Sequence, residues 1–218
     1  MIFYLLAVIV AYKLFGKTGL YVFTAISAIL ANRQDCKNID IFGLSTTAGN
    51  VLYAASFLVT DILSEKYGKK AAKKAVYVGV FTTVIFLVGT QGMLTLTPNS
   101  SDIMDPAMQQ LFGLVPRVAI ASIVGYICSQ TIDVTLYHFI WKKTGDNERW
   151  LWARNCGSTL TSQAVDTVVF TFIAFWVIYD TGIFVSILLT TYLFKAIVAF
   201  CDTPFVYLAR KIAVKEEQ

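Results

Sequence analysis

Long apolar stretches alternate with short polar segments along the whole chain. A helix that crosses a bilayer needs about 20 mostly apolar residues. The pattern predicts six membrane-spanning helices, at residues 19–32, 42–64, 75–97, 117–140, 155–179 and 183–209. A shorter apolar run at 2–15 predicts one further crossing, so we favour seven. Between the third and fourth of the six spans, the amphipathic stretch 105–112 predicts a short helix that lies along the membrane interface.

The composition agrees with a membrane protein. Of the 218 residues, 56% are hydrophobic and 15% are charged, which is outside the range of soluble globular domains. No Pro-rich linker or low-complexity segment divides the chain, so we expect residues 1–218 to form a single domain. The predicted fold class is therefore all-α: a polytopic transmembrane helical bundle of six to seven spans, surrounded by membrane lipid.

Lysine and arginine residues collect in three short segments, 66–74, 142–154 and 210–215. Two predicted spans separate each segment from the next, so all three lie on the same side. The positive-inside rule places that side in the cytoplasm. We therefore expect a multi-pass protein of the cell (inner) membrane with a cytoplasmic carboxyl terminus, and with the amino terminus outside if there are seven spans. The modest net charge of +4 indicates orientation rather than a nucleic-acid surface.

The residues that usually hold metals or cofactors are few and scattered. No C-x-x-C pair exists, and there is one histidine, so zinc and redox motifs have no support. We expect no cofactor and no metal site. The first apolar run begins without a basic segment, so we expect it to remain in the mature protein rather than act as a signal peptide.

Two copies of one polar pentapeptide lie within predicted spans: Ser-Gln-Thr-Ile-Asp at 129–133 and Ser-Gln-Ala-Val-Asp at 162–166. In each copy the glutamine and the aspartate are three residues apart, so both project from one helix face. A carboxylate inside a membrane is costly unless it has a function or a partner. We interpret Gln130, Asp133, Gln163 and Asp166 as substrate-binding residues. The alternative is that they only hold helices together.

Three further ionisable residues lie within the predicted spans, namely Asp61, Lys195 and Asp202. Lys195 is too deep to reach the membrane surface, so it needs an acid, and Asp133 or Asp166 lies at similar depth. A cluster of two acids, two amides and one amine suits a flat, nitrogen-rich ligand such as a nucleobase. The alternative for Lys195 is a purely structural ion pair.

Polar residues also interrupt the second predicted span. The interrupting residues are Thr46, Thr47, Gly49 and Asn50, and they predict either a broken helix that lines a cavity or a place where small residues let helices pack closely. In the first case Asn50 is a further candidate substrate-binding residue. For Asp61 and Glu65, the alternative to function is pairing with neighbouring lysines at a helix end.

Several motifs occur in a familiar order: Phe15-Gly16-Lys17-Thr18-Gly19-Leu20, Thr60-Asp61-Ile62-Leu63-Ser64-Glu65-Lys66-Tyr67-Gly68, Pro116-Arg117, Ser129-Gln130 with Asp133, Leu151-Trp152 with Arg154-Asn155, and Ser158-Thr159 with Ser162-Gln163 and Asp166. Over nearly its whole length the chain resembles the queuosine precursor transporter family, also called the vitamin uptake transporter family. One departure is the polar segment 33–36, where the family usually continues with apolar residues; it could signal a different substrate within the family.

The resemblance implies an inner-membrane transporter that imports 7-cyano-7-deazaguanine, 7-aminomethyl-7-deazaguanine or queuine for tRNA modification by salvage. It also implies a set of functional positions: Asp61, Gln130, Asp133, Arg154, Asn155, Gln163, Asp166 and Lys195. An aminomethyl substrate adds a cation that a second carboxylate could hold.

Two other functions stay open beside a solitary carrier that is not an enzyme. The chain could be the substrate-binding subunit of an ATP-driven vitamin-type uptake system, with the small-residue face Ala7-x-x-x-Ala11 as a docking surface for the ATPase module. An intramembrane aspartyl hydrolase would use two membrane aspartates, but its Tyr-Asp and Gly-x-Gly-Asp motifs are absent. The sequence leaves open whether the protein is a monomer or a homodimer.

Overall fold

The computed structural model describes residues 2–34, 37–41, 44–113, 116–177 and 180–212. These residues are almost all helical, which confirms the predicted helical bundle. The elements are α1 Ile2–Gln34, β1 Asn38–Ile41, β2 Leu44–Thr47, α2 Ala48–Leu94, α3 Asp105–Phe112, α4 Pro116–Thr144, a 3-10 turn at Glu148–Trp150, α5 Leu151–Phe175 and α6 Thr181–Lys211.

The first helix folds back on itself at Gly16, which has φ 55° and ψ −137°. Gln34 donates a hydrogen bond of 2.8 Å to the Tyr4 hydroxyl, although a straight helix would hold these residues about 45 Å apart. Gly19 permits the close approach of the two arms, because a Cβ atom there would lie 2.3 Å from the Ala11 carbonyl oxygen. The predicted runs 2–15 and 19–32 are therefore two antiparallel arms of α1.

The second helix also reverses, at Gly68, where φ is 76°. Tyr126 of α4 reaches Gly79, while Gln130, one turn further along α4, accepts a hydrogen bond from Thr60. A straight α2 would hold residues 60 and 79 about 28 Å apart, so α2 consists of two arms, 48–67 and 69–94. The described chain thus has seven long helical segments, in line with the seven predicted runs.

Among the described residues, three helical stretches are long and apolar enough to cross a membrane. They are Ile2–Ala31, Ala55–Leu94 and Thr181–Lys211. The long helices α4 and α5, of 29 and 25 residues, carry the polar motifs. The number of membrane crossings stays a prediction.

One predicted span begins too early. Residues 44–47 were predicted as the start of a helix at 42, but they form β2, which pairs antiparallel with β1 in the register Asn38↔Thr47 and Ile41↔Leu44. Helix α2 begins only at Ala48. Isoleucine and threonine favour extended backbone, so the polar residues Thr46 and Thr47 that interrupt the predicted span belong to a strand that precedes the helix.

The basic segments meet at one end of the bundle. Lys66 donates to the carbonyl oxygens of Arg210 at 2.6 Å and of Ile212 at 3.2 Å, and the Lys17 ammonium lies over the Tyr67 ring. The Gly16 turn, the Gly68 turn and the end of α6 therefore lie together, as expected for segments that share one side of a membrane. We call this the basic end.

At the opposite end, α3 has the predicted bounds, Asp105–Phe112. Gln91 donates to the Phe112 carbonyl oxygen at 2.6 Å. Arg33 donates to the Leu111 carbonyl oxygen, and its guanidinium lies 4.4 Å from the Phe112 ring centroid. Arg33, part of the segment that departs from the family pattern, thus holds α3 against the bundle.

The interior and the outer surface differ in a way that suits a bilayer. Apolar residues of α1, α2, α4, α5 and α6 form one buried cluster. Large apolar side chains also cover the outside, among them Phe3 at 74% exposure, Phe81 at 68% and Val88 at 66%. An apolar surface of this extent is typical of contact with lipid.

Candidate functional site

Polar side chains from α2, α4, α5 and α6 meet in the interior of the bundle. Each member of this set, which we call the polar layer, is at most 6% exposed. The polar layer comprises Ser56, Thr60, Asp61, Ser129, Gln130, Asp133, Asn155, Thr159, Ser162, Gln163, Asp166, Lys195 and Asp202. It brings together seven of the nine predicted site residues; Asn50 and Arg154 are treated below.

The two copies of the pentapeptide bind each other reciprocally. Ser129 of the first copy donates to Asp166 Oδ1 of the second at 3.2 Å. Ser162 of the second copy donates to Asp133 Oδ1 of the first at 3.2 Å. Because 129 lies beside 166 and 133 beside 162, α4 and α5 run antiparallel at this point. The repeated motif is therefore the contact between two helices of opposite direction.

The two aspartates of the motif have different surroundings. Asp166 forms an ion pair with Lys195 of α6. Of the two predicted partners of Lys195, Asp133 and Asp166, the structure therefore selects Asp166. Asp133 instead shares the Thr159 hydroxyl with Asp61, at Oγ–Oδ distances of 3.3 Å to Asp133 and 3.4 Å to Asp61. One acid of the pair therefore faces a cation and the other faces a second acid.

The two glutamines also differ. Gln130 donates to Ser56 Oγ at 3.1 Å and accepts from Thr60 Oγ1 at 3.3 Å, so both ends of its amide contact α2. Gln163 is buried, and its Oε1 atom has no hydrogen-bond partner. Gln130 joins α4 to α2, whereas the Gln163 carbonyl is available to a ligand.

Asn155 connects α5 to α6. Its Nδ2 group donates to Asp202 Oδ1 at 2.9 Å and to Thr203 Oγ1 at 3.0 Å. Its Oδ1 atom has no partner. Among the described residues, four buried acceptor oxygens of the polar layer have no donor, and a buried acceptor without a donor is unfavourable by about 1–3 kcal/mol. They are Asp61 Oδ1, Asp133 Oδ2, Asn155 Oδ1 and Gln163 Oε1.

Arg154 does not join the polar layer but lies nearer the basic end. Its guanidinium binds both carboxylate oxygens of Glu65, at 2.8 Å and 3.0 Å from Nη2, and it lies over the Trp141 ring. Glu65 also binds Arg210 at 2.8 Å and accepts from the Tyr137 hydroxyl at 2.7 Å. We call these five residues the Glu65 network.

The Glu65 network decides between two interpretations of Glu65. Pairing with neighbouring lysines is wrong, because Glu65 binds arginines of α5 and α6. In the sequence, Glu65 stands out only because it lies one turn after Asp61. That spacing does not identify its arginine partners. The side chain of Asn50, another predicted site residue, lies outside the described residues.

A comparison with protein families decides the family. The model of the family described as "Putative vitamin uptake transporter" matches residues 47–209. The chain belongs to this family. The chain is also similar to the "Probable queuosine precursor transporter" of Bacillus subtilis (strain 168), with 41% identity over 217 residues, which cover 100% of this chain and 94% of the relative.

A second similar protein is the "Queuosine precursor transporter" of Escherichia coli (strain K12). It is 27% identical over 173 residues, which covers 74% of this chain and 71% of the relative. No solved structure matches the chain. Membership of this transporter family and the apolar helices establish a multi-pass membrane protein that is not an enzyme.

Proposed function

We propose that this vitamin uptake transporter imports queuosine precursors across the inner membrane for tRNA queuosine salvage. The substrates are deazaguanines: the 7-cyano form, the 7-aminomethyl form or queuine. The names of both relatives support this substrate class. The substrate lies in the polar layer, between the two Ser-Gln-x-x-Asp helices α4 and α5.

The four unpartnered acceptor oxygens of the polar layer carry this proposal. A deazaguanine offers N–H donors at its pyrimidine ring, at its exocyclic amine and at its pyrrole ring, and it has one carbonyl oxygen. Carboxylates and amide oxygens accept such donors, and an amide N–H can bind the carbonyl. A donor-rich ligand would therefore satisfy groups that the protein alone leaves unsatisfied.

We assign roles by position in the polar layer. Asp133 and Asp166 accept from the ligand's N–H groups, and Lys195 keeps Asp166 ionised. The Gln163 Oε1 atom accepts from a ring N–H, and Gln130 donates to the ring carbonyl through the amide N–H that Ser56 does not use. Asn155 and Asp61 complete the wall. Arg154 has its role through Glu65, outside the polar layer. We retain Asn50 as a proposed residue of the substrate site.

A direct test is the queuosine content of tRNA in a bacterium that can neither make nor import deazaguanines. The cells receive each precursor in turn and express the parent chain, Asp133→Asn, Asp166→Asn or Asp180→Asn. Asp180 is an exposed aspartate outside the polar layer and serves as the matched control. We expect the parent and Asp180→Asn to restore queuosine and the other two variants to fail at equal membrane abundance.

If the parent chain restores no queuosine with any precursor, although it is present in the membrane at normal abundance, the proposed substrates are wrong. Copurification with an ATPase would then support the alternative of a binding subunit in an ATP-driven system. A solitary carrier is the simpler proposal.

A further inference from the structure

The buried charges of the described chain do not balance. Two cations are buried, and each has an acid: Arg154 binds Glu65, and Lys195 binds Asp166. Three more acids, Asp61, Asp133 and Asp202, are at most 1% exposed and belong to none of the ion pairs among the described residues. Uncompensated charge is strongly unfavourable in such an interior, so these acids require protons or another cation.

Two of the three acids face each other. The Thr159 hydroxyl joins them, because it lies 3.4 Å from Asp61 Oδ2 and 3.3 Å from Asp133 Oδ1, and among the described residues Asp61 Oδ1 and Asp133 Oδ2 have no donor. Thr159 contacts both carboxyl groups but has only one hydroxyl proton. Ionised carboxylates only accept hydrogen bonds, so two of them this close leave a position for one proton.

A non-acidic side chain on the same face of α5 also has an unsatisfied oxygen. Asn155 is one turn before Thr159, so both project from one helix face. Its amide nitrogen donates to Asp202, and its buried Oδ1 atom has no partner among the described residues. Asp202 therefore has an amide donor, whereas Asp61 Oδ1 and Asp133 Oδ2 have none within the same part of the chain.

The groups around the pair come from each helix of the polar layer. From α6, Asp202 accepts a hydrogen bond from Asn155, which lies one turn from Thr159. Toward the basic end, one turn along α2, α4 and α5, lie Glu65, Tyr137 and Arg154, which are bound to one another. Within the described residues, no group of three or more His, Cys, Asp or Glu could hold a metal ion. These surroundings favour a proton over a metal ion.

We propose that Asp61 and Asp133 hold one proton between their carboxyl groups and that this proton couples substrate movement to the proton gradient. The proton binds one carboxylate from one side of the membrane and leaves to the other side, which regenerates the carboxylate without any redox step. The coupling rests on the proposed function, but proton binding does not.

Proton binding is tested without substrate, by infrared difference spectroscopy of the purified full chain in liposomes. We expect parent-minus-variant spectra of Asp61→Asn and of Asp133→Asn to show loss of the same protonated carboxyl band. In each variant the new amide donates to the remaining carboxylate in place of the proton, so the fold is retained. Asp180→Asn should keep the band.

Two results would overturn the proton site. One is loss of only an ionised carboxylate band in both variants, with the protonated band unchanged. The other is a parent spectrum that changes when sodium replaces potassium in the buffer, which would assign the position to a sodium ion.

Coupling is tested by uptake of labelled deazaguanine into the same liposomes. An inward proton gradient should raise accumulation by the parent at least severalfold and should have no effect on Asp61→Asn. Uptake by the parent that ignores the gradient would overturn the coupling and leave the proposed function intact. If the infrared band behaves as expected but no deazaguanine enters under any gradient, the proposed function fails and the proton site stands.

Discussion

Single side chains in the polar interior are stabilised by partners on other helices. Lys195 of α6 binds Asp166 of α5, and Arg154 of α5 binds Glu65 of α2. Removal of one partner of a buried pair leaves an uncompensated charge, which is more destabilising than the pair itself is stabilising. Comparison of the single variants with the double variant can therefore show whether two buried residues form a pair or act independently.

Lys195→Met should lower the free energy of unfolding by about 3–5 kcal/mol, because Asp166 then loses its cation. Addition of Asp166→Asn to that variant should restore part of the loss, since the remaining group is neutral. Unfolding of the purified protein in detergent measures both. If the double variant is less stable than Lys195→Met by the full effect of Asp166→Asn alone, the two residues act independently and the pair is not formed.

Arg154→Lys keeps the charge but removes the forked geometry that binds both oxygens of Glu65. An ammonium group cannot reproduce this bidentate contact, so we expect a loss of about 1–3 kcal/mol in the same unfolding measurement. Arg149→Lys, at an exposed position, is the matched control and should have little effect. Equal stability of the two variants would contradict a structural role for the bidentate contact.

At the scale of elements, glycines decide where α1 and α2 reverse. The backbone at Gly68 has φ 76°, which residues with a Cβ rarely adopt. A Cβ at Gly68 would meet no atom within 4 Å, so any effect of alanine there comes from the backbone conformation alone. A substitution at Gly68 therefore measures only the conformational strain of a positive φ angle at a residue that has a Cβ.

Gly68→Ala should destabilise the protein by about 1–2 kcal/mol. Gly89→Ala is the matched control, because it also has open space around it but lies within the helical arm 69–94. There alanine should be neutral or stabilising by about 0.5–1 kcal/mol. Thermal unfolding in detergent compares the two, and a similar effect at both positions would mean that α2 does not reverse at Gly68.

At the scale of the whole molecule, the two reversals decide at which end of the bundle α1 begins and α6 ends. The Gly16 and Gly68 turns and the end of α6 lie at the basic end, whereas Gln34, which bonds Tyr4, lies at the other end. The start of α1 and the end of α6 are therefore at opposite ends of the bundle. A chain whose first and last helices have these ends on opposite sides of a membrane crosses it an odd number of times.

Cysteine labelling in intact cells tests this arrangement. In a cysteine-free background, Ile2→Cys and Ser100→Cys should react with a membrane-impermeant reagent from outside, and Lys70→Cys only after permeabilisation. All three positions are exposed. Labelling of Ile2→Cys and Lys70→Cys from the same side would exclude the proposed orientation of the first arm.

Local patterns were enough to predict much of this protein. Hydropathy and amphipathic spacing predicted the positions of the long helical segments and of α3, because both patterns can be read from residues that are close together in the sequence. The twin motif was recognisable for the same reason, since its three-residue spacing places glutamine and aspartate on one helix face. The exception was the hairpin of β1 and β2, where isoleucine and threonine residues favour extended backbone next to the start of a predicted span.

The identity of each polar partner was decided only by the tertiary structure. Arg154 and Glu65 are 89 residues apart, and Asp61 and Thr159 are 98 apart. A sequence shows that a buried lysine or arginine needs an acid, but several acids at similar depth satisfy that need equally well. The choice of Asp166 for Lys195, of Glu65 for Arg154 and of Asp61 as the neighbour of Asp133 follows from how the helices reverse and pack, and packing is a property of the whole chain rather than of any segment.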